Sequence, residues 1–326
     1  MPRNHLTSAP TRRSVLGGAA LATLALAAGA GTANAASAAS AASATSATSS
    51  WPTEIPLPNG FLPEGIAIGA KPYAYFGSRA NGAVYRADLR TGEGTILYAG
   101  ATGTITNGLK VDDHDGLLYL SSGSTGGAAR IVDSRTGNLV ATYQLTDPTG
   151  HFINDVALLG DRAWFTDSYG AVLYGVPRGG TGDVRELPIS GDWVQSATGI
   201  SANGLVGTPD GKALIVVNGG KLYRVPLETG EAVEITLSGT TALTNGDGLV
   251  RIGHTLYVVQ NRLNQVSVLD LDPGATTATL TRTITDPRFN IPTTAAHFGN
   301  LLYVANAQLG LPTTPDTPFN SVAVAL

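Results

Sequence analysis

The chain has 326 residues, of which 43% are apolar and 13% charged, a composition typical of a globular protein with a sizeable core. Twenty Lys and Arg against 24 Asp and Glu give a net charge of −4 without a long basic run, so neither nucleic acid nor an anionic lipid surface is an expected partner. The absence of cysteine excludes disulfides, thiolate metal sites and a cysteine nucleophile, and the five histidines contain no H-E-x-x-H pair of a zinc hydrolase.

Residues 1–35 have the features of an export signal. Arg12 and Arg13 precede an apolar stretch from Val15 to Ala28, and the sequence Ala-Asn-Ala at 33–35 is typical of a cleavage site. The paired arginines predict a twin-arginine signal; the alternative is a chance Arg-Arg in an ordinary secretory signal. The apolar stretch is short for a membrane span. We therefore expect a secreted or extracytoplasmic protein with no stable membrane insertion after the signal is removed.

The segment after the signal separates it from the folded domain. Residues 36–50 are almost entirely Ala, Ser and Thr, with no periodicity and no bulky apolar side chain. Such a composition cannot bury enough apolar surface to fold, so it predicts a disordered linker. The folded domain is expected to occupy 51–326.

Six copies of a pattern about 46 residues long fill this domain. Each copy has a short strand rich in aromatic and β-branched residues, then a second strand, a polar turn and an outer strand. No segment of useful length has helical periodicity. Four strands per copy at this period are typical of the blades of a β-propeller. The aromatic strands are predicted at Tyr73–Ser78, Leu117–Gly123, Ala163–Ser168, Ala213–Gly219, Thr255–Asn261 and Leu301–Ala307.

The predicted fold class is therefore all-β, a six-bladed β-propeller of four-stranded blades. The chain ends on Ser321–Leu326, which matches the third strand of a blade and leaves that blade without a fourth. Thr53–Pro58 resembles the outer strands of other copies. We expect this N-terminal strand to complete the last blade and close the ring, because closure leaves no long unpaired edge.

A further element before each aromatic strand opens on a polar residue. If these elements are the innermost strands, their opening residues face a common axial pore. Five of the six residues are carboxylates or amides, the ligands that hard cations prefer, which predicts calcium, or another divalent cation, in the pore. The alternative is that the X-Gly dipeptides among them are simple turns. The six residues are Glu64, Asn107, Asn154, Asn203, Asp247 and Thr294, spaced by roughly 43 to 49 residues.

The chain resembles the family of senescence marker protein (regucalcin) and gluconolactonase, and more distantly diisopropyl fluorophosphatase and paraoxonase. The resemblance covers nearly the whole domain through the motifs PEGIA, INDVALL, ANGLVGTPDGKALIVV, GDGL and PTTAAHFGNLLYVA. It implies a six-bladed propeller hydrolase with one catalytic calcium. Matched in blade order, the implied calcium ligands are Glu64, Asn154, Asn203 and Asp247.

One position departs from that family. Its sugar-lactonase members carry an Arg two residues before the third-blade Asn, and this chain has Phe152 there. A less polar lactone or ester is therefore a more plausible substrate than a polyhydroxylated sugar acid. The resemblance and the polar ring together favour an exported, calcium-dependent hydrolase of a lactone or related ester.

Two alternatives to this hydrolase stay open. The first is a non-catalytic propeller that binds a ligand or a protein and holds calcium as a structural plug, because propellers serve many functions. The second is a related propeller lyase or synthase. For the hydrolase we expect a small-molecule substrate and a monomeric protein.

Roles for individual side chains follow from the predicted ring. A pore calcium with an open position can polarise a carbonyl oxygen. Asp247 is expected to be the general base and Glu64 chiefly a ligand. His297 is expected to shuttle a proton near the pore; the alternative is a strand histidine inside the blade packing. Asp155 is expected to steer water or to support the ligands. The residues expected at the substrate are Asn107, Phe152, Asp155 and Thr294.

Overall fold

The computed structural model describes residues 51–326, so the predicted signal at 1–35 and linker at 36–50 lie outside the described residues. This part of the chain contains 26 strands and a single three-residue 3-10 helix, Asn261–Leu263. Within residues 51–326, no helix is long and apolar enough to span a membrane. The expectation of an all-β domain is confirmed.

Six separate sheets form six blades, each built on four antiparallel strands, as the repeat pattern predicts. A first strand, β1 (Glu54–Leu57), precedes the blades. Within a blade the chain starts at the innermost strand and moves outward. Blade 1 holds β2 (Pro63–Ile68), β3 (Tyr73–Ser78), β4 (Val84–Asp88) and β5 (Gly94–Tyr98); blade 2 holds β6 (Leu109–Asp112), β7 (Leu117–Ser121), β8 (Ala128–Asp133) and β9 (Leu139–Gln144); blade 3 holds β10 (Ile153–Leu159), β11 (Arg162–Asp167), β12 (Val172–Pro177) and β13 (Arg185–Pro188).

The second half of the domain repeats this order with two short additions. Blade 4 holds β14 (Ser190–Gly191), β15 (Ala202–Gly207), β16 (Ala213–Asn218), β17 (Lys221–Pro226) and β18 (Glu231–Glu234); blade 5 holds β19 (Thr236–Ser238), β20 (Gly246–Ile252), β21 (Thr255–Gln260), β22 (Gln265–Leu271) and β23 (Thr277–Thr285); blade 6 holds β24 (Pro292–Phe298), β25 (Leu301–Asn306) and β26 (Phe319–Ala325). The six predicted aromatic strands are the second strands of the blades, with ends shifted by at most two residues.

The outer strands of blades 3 and 4 differ from the prediction because each breaks and continues into the next blade. After β13, the two-residue strand β14 pairs in parallel with β18; after β18, the strand β19 pairs in parallel with β23. Ile189 and Ile235, one at each break, are buried. Each buried isoleucine fixes the point at which the chain crosses, so blades 4 and 5 gain a short fifth strand at the outer edge.

The sixth blade contains both ends of the described chain. β1 pairs antiparallel with β26, with Glu54 opposite Val322 and Leu57 opposite Phe319. Ile55, which is fully buried, belongs to the apolar cluster between blades 6 and 1. The strand at the start of the domain is thus held by backbone pairing on one side and by core packing on the other.

The innermost strands form a continuous ring. β2 contacts β6, and the contacts continue through β10, β15, β20 and β24 back to β2. Six apolar clusters lie between neighbouring blades. The second strands are covered on both faces by these clusters; all six residues of β16 are buried, for example. Burial on both faces explains why these strands are continuous apolar runs rather than alternating patterns.

An ion pair ties blade 2 to blade 3 on the side of the domain where innermost strands end. Arg178 Nε and Nη2 donate to the two carboxylate oxygens of Asp112, at 2.5 and 2.7 Å. The Asp112 side chain is 3% exposed and that of Arg178 is 30% exposed. Hydrogen bonding from Arg178 lowers the pKa of Asp112 below its usual value.

We expect Arg178→Ala to destabilise the domain at neutral pH, by about 2–3 kcal/mol, because it leaves the buried Asp112 carboxylate without a cation. Because folding lowers the pKa of Asp112, the stabilisation is present above the ordinary carboxyl pKa and is lost as the pH falls through the folded-state value. Urea unfolding of both proteins should therefore show a large difference in the free energy of unfolding at pH 7 and a smaller one near pH 3. Arg90→Ala, which breaks an exposed pair with Asp88, is the control and should change stability little. An equal gap at both pH values would contradict the assignment.

Candidate functional site

The innermost strands begin around one mouth of the pore, and a cavity of about 660 Å³ opens there. Residues from all six blades contribute to its wall. Six of the nine predicted site residues line this cavity: Glu64, Asn107, Phe152, Asn154, Asn203 and Asp247. The structure thus brings together the four implied metal ligands and two of the residues expected at the substrate.

Asp155 and Thr294 are buried beside the cavity but do not line it. Asp155 Oδ1 accepts a hydrogen bond from the backbone N–H of Val156 at 2.8 Å, and its own N–H donates to Thr166 Oγ1. Thr294 packs against the backbone of Gly248 in the neighbouring blade. Both residues support the strands that carry the wall rather than reach a ligand in the cavity.

His297 is not part of this site. It is solvent-exposed and lines a different cavity, of about 180 Å³, together with Lys110 and Arg251. The reason is its position on β24: it lies three residues beyond Thr294, which is about 10 Å along a strand at roughly 3.3 Å per residue. The expectation of a proton shuttle at His297 is therefore wrong.

A β-bulge places four of the five acidic and amide side chains of the ring at the start of their innermost strands; Asn107 precedes β6, which has no bulge. The pairing register shifts between Pro63 and Ile66 in β2, and the same irregularity recurs in the innermost strands of blades 3, 4, 5 and 6. Glu64 lies inside the first of these shifts, and Asn154, Asn203 and Asp247 lie inside three others. Bulges redirect a side chain from the ladder, which explains how polar side chains at the start of buried strands reach the pore.

The glycines that follow the ring residues are close-packing positions, not turns. Gly65, Gly108, Gly204 and Gly248 all have ordinary negative-φ backbone. A Cβ on Gly65 would lie 2.4 Å from the carbonyl oxygen of Asn107 in the next blade. A Cβ on Gly204 would lie 2.3 Å from the carbonyl oxygen of Asp247. The X-Gly dipeptides therefore mark where neighbouring innermost strands approach most closely, which rejects the turn alternative.

A chain of hydrogen bonds fixes the amide side of the cavity. Asn107 Nδ2 donates to Asn154 Oδ1 at 2.7 Å, and Asn154 Nδ2 donates to Ser168 Oγ at 2.8 Å. Ser168 Oγ in turn donates to the carbonyl oxygen of Ala202 at 2.5 Å. The side-chain N–H₂ groups of Asn107 and Asn154 thus both donate within the protein. The side-chain oxygen Oδ1 of Asn154 keeps a second lone pair for a ligand.

Asp247 is oriented from two sides. Asn261 Nδ2 donates to its Oδ2 atom at 2.7 Å, and the Asn203 amide lies close enough to the carboxylate to lower its pKa. Asn261 begins the short 3-10 helix that follows β21. These two amides hold the carboxylate in one orientation without neutralising its charge.

The three buried carboxylates of the pore have raised pKa values. Burial, followed by the charge of Asp155, raises the pKa of Asp247 to about 7, against the hydrogen bonds from its two amide partners. Burial and the charges of Asp247 and Asp155 raise the pKa of Glu64 well above its usual value. Burial also raises that of Asp155. Burying an ionised carboxylate typically costs several kcal/mol of free energy. The carboxylates of this cluster therefore need a nearby cation in order to be ionised.

The donor set fits a hard divalent cation. Within residues 51–326, no three His, Cys, Asp or Glu side chains are placed to hold a metal ion. A metal here therefore depends on the amide oxygens of Asn154 and Asn203 beside the carboxylates of Glu64 and Asp247. Mixed carboxylate and amide oxygens are ligands of calcium, whereas zinc and copper favour imidazole or thiolate.

The far side of the cavity is apolar. Phe152, Ile200 and Leu309 line it, and the Phe152 ring packs edge-on against Tyr169 with centroids 5.8 Å apart. The backbone N–H of Phe152 donates to Asp167 Oδ1 at 3.1 Å, which fixes its position. This wall agrees with the expectation from the sequence that Phe152 makes the site less polar.

Three residues of the site are missing from the sequence prediction: Arg79, Ser168 and Asn261. Each immediately follows the second strand of its blade. Because the second strand runs antiparallel to the innermost strand, its end lies at the same mouth as the start of the innermost strand. The residue that follows each aromatic strand can therefore be recognised in the sequence as a candidate site residue.

No protein-family model matches the chain, and no curated protein matches it. Solved structures do. The major allergen Mala s 1 of Malassezia sympodialis is 13% identical, with a TM-score of 0.64 over 84% of this chain and 96% of the allergen. A calcium-binding protein, regucalcin, of Agrobacterium tumefaciens is 18% identical, with a TM-score of 0.61 over 84% of this chain and 95% of that one. A gluconolactonase of Xanthomonas campestris is 16% identical, with a TM-score of 0.58 over 82% and 87%.

What these proteins share with the chain is the fold. The predicted resemblance to regucalcin and gluconolactonase is thereby confirmed at the level of architecture. An allergen has the same architecture at a similar TM-score, and one fold hosts many functions. Only the residues of the cavity can therefore indicate an activity.

Proposed function

We propose that the protein is a calcium-dependent hydrolase of a lactone or related ester. The observation that carries this proposal is the pairing of two buried carboxylates, Glu64 and Asp247, with the amides Asn154 and Asn203 at the mouth of a 660 Å³ cavity. A cavity of this size accepts a small molecule. The fold neighbours named as gluconolactonase and calcium-binding protein agree with the proposal.

The residues of the cavity have complementary roles in this reaction. Glu64, Asn154, Asn203 and Asp247 would hold the calcium ion, which when bound polarises the substrate carbonyl oxygen. Asp247 is the proposed general base: it lies on the cavity wall, and a calcium ion beside it would keep the carboxylate ionised and able to accept a proton from water. Asn261 keeps the carboxylate oriented toward that water.

The apolar wall supplies the remaining function. Phe152, Ile200 and Leu309 would pack against the carbon skeleton of the substrate and exclude bulk water from the reacting carbonyl. Excluding water strengthens the electrostatic interactions at the carboxylates. We propose a small-molecule substrate, no protein or nucleic-acid partner, and a monomer.

We further propose that the protein works outside the cytoplasm. The support is the sequence of 1–35, with its paired arginines, apolar stretch and cleavage site, followed by the Ala/Ser/Thr tract at 36–50. Extracellular calcium modules bind in the range of about 10⁻⁴–10⁻³ M, so a site with two carboxylates would be sufficient there.

Proton release on a panel of lactones, aryl esters and organophosphates tests the proposed activity. The protein is assayed with calcium, then with a chelator, then with calcium restored. We expect turnover of a lactone or ester that disappears with the chelator and returns with calcium. If the folded protein binds calcium, shown by calorimetry, and hydrolyses no member of the panel, the hydrolase proposal is wrong and a ligand-binding propeller replaces it.

A further inference from the structure

Arg79 is a cation on the cavity wall that no described residue neutralises. It follows β3 directly, and its backbone N–H donates to the carbonyl oxygen of Leu62 at 2.9 Å, which fixes the start of its side chain. The side chain is partly buried and lines the cavity together with Glu64 and Asp247. Within residues 51–326 its guanidinium makes neither a hydrogen bond nor an ion pair, although five other Arg and Lys side chains do form ion pairs.

The positive charge of Arg79 acts on the carboxylates of Glu64 and Asp247 at a distance, without forming an ion pair with either. It lowers the pKa of both Glu64 and Asp247, yet it is within ion-pair distance of neither. A divalent cation held by these two carboxylates would balance their charge. The guanidinium would then remain as an unbalanced positive charge on the wall, joined there by the exposed Arg262.

The cavity therefore has three regions of different chemistry. The carboxylate and amide cluster is one, the apolar wall of Phe152, Ile200 and Leu309 is the second, and the guanidinium of Arg79 is the third. A neutral apolar ester would fill the first two and leave a partly desolvated guanidinium without a partner, which is unfavourable. A planar guanidinium matches a carboxylate through two parallel hydrogen bonds.

We propose that Arg79 binds a carboxylate of the substrate, so that the substrate class is a lactone or ester that also carries a free carboxylate. This inference rests on the proposed hydrolase function and narrows it. The carbonyl to be attacked lies at the calcium ligands, the carbon skeleton lies on the apolar wall, and the carboxylate lies at Arg79. Arg262 is exposed, so Arg79 supplies the one partly buried guanidinium among the lining residues, and one such group suits the single charge of a carboxylate better than the double charge of a phosphate.

The test uses two matched pairs of small molecules and two variants. The first pair is a five-membered lactone with a ring carboxylate and the same lactone with a neutral carboxamide. The second pair is the corresponding lactams, which resist hydrolysis. The variants are Arg79→Gln and, as the control for net charge, Arg282→Gln on the exposed face of β23. Calorimetry on the calcium-loaded proteins measures lactam affinity, and proton release measures kcat/KM for the lactones.

We expect the wild-type protein and Arg282→Gln to prefer the carboxylate over the carboxamide by about 10- to 100-fold, the range of a hydrogen-bonded charge. In Arg79→Gln this ratio should fall close to one, with carboxamide affinity unchanged. Calcium affinity should stay the same or rise, because the substitution removes a positive charge near Glu64 and Asp247. The inference is overturned if the wild type shows no preference, or if Arg79→Gln keeps it. A preference for the carboxylate lactam without turnover of either lactone would support Arg79 as a carboxylate site while refuting the hydrolase. Turnover of both lactones without a preference for the carboxylate would support the hydrolase and refute Arg79 as a carboxylate site.

Discussion

Replacing Asp247 with Asn should strongly reduce turnover and weaken calcium binding while leaving the propeller folded. The variant removes a charge but keeps the size of the side chain, and its remaining amide oxygen can still accept the hydrogen bond from Asn261 Nδ2. Loss of the general base alone lowers kcat/KM by roughly 10²- to 10⁴-fold. Because one of two carboxylate ligands also becomes neutral, calcium affinity should fall by at least about tenfold.

The same substitution should have the opposite effect on the stability of the calcium-free protein. Asp247 is 4% exposed, and burial raises its pKa to about 7, so at pH 8 the folded protein holds a desolvated charge. Removing that charge should raise the free energy of unfolding by about 1 kcal/mol or more in a chelator. Adding calcium should then raise the melting temperature of the wild type and leave that of the variant almost unchanged.

Asp270→Asn is the matched control for this experiment. Asp270 lies on β22, is exposed, and pairs with Thr255 at the opposite end of β21 from the cavity residue Asn261. It should change neither turnover nor the calcium-induced rise in melting temperature. If Asp247→Asn retains turnover, the general-base role is wrong. If the variant loses the calcium response but keeps turnover, calcium is a structural ion and the hydrolysis does not depend on it.

The architecture was predictable because the propeller repeats its chemistry six times. A single apolar strand such as Leu301–Asn306 is ambiguous, but six such strands at one period define the blades. The ring of pore residues followed from the same period, and six of the nine predicted site residues line one cavity. Each apolar strand alone is ambiguous, but their regular spacing in the sequence identifies all six together. The blade count and the positions of the second strands could therefore be derived.

The features that were not predicted depend on where each strand runs in three dimensions, which the repeat period does not give. His297 shares a strand with Thr294, and the sequence does not show that three further residues carry it to the opposite mouth. Arg79 and Asn261 lie in different blades, and only the antiparallel return of the second strand brings them to Asp247. The crossing of outer strands at Ile189 and Ile235 depends on which neighbouring edge is free to pair.

The X-Gly dipeptides were ambiguous for a related reason. Asn-Gly and Asp-Gly are common in turns, so the sequence alone supports two interpretations. The backbone around Gly204 decides between them, because its φ is negative and the next blade leaves no space for a Cβ atom. Glycine is required there by the distance between two backbones, a property that no local pattern contains.

Gly204→Ala should therefore damage both the fold and the metal centre. A Cβ at this position would lie 2.3 Å from the Asp247 carbonyl oxygen and 2.8 Å from Gly248 Cα, and both of these atoms are backbone. β15 and β20 must separate to accept the methyl group, which moves Asn203 away from Asp247. Overpacking of this kind costs about 1–3 kcal/mol, and more where backbone must move.

Gly207→Ala in the same strand is the matched control. Its Cβ would lie 3.0 Å from Leu159 Cδ1, the end of a flexible side chain that can shift. Both variants lose the same backbone freedom in the unfolded state, so this contribution cancels between them. Thermal unfolding in chelator should show a clear loss for Gly204→Ala and little change for Gly207→Ala, and only Gly204→Ala should lose the stabilisation by calcium. Equal behaviour of the two variants would show that the innermost strands can separate freely, and the close approach of β15 and β20 would then not be what positions Asn203 beside Asp247.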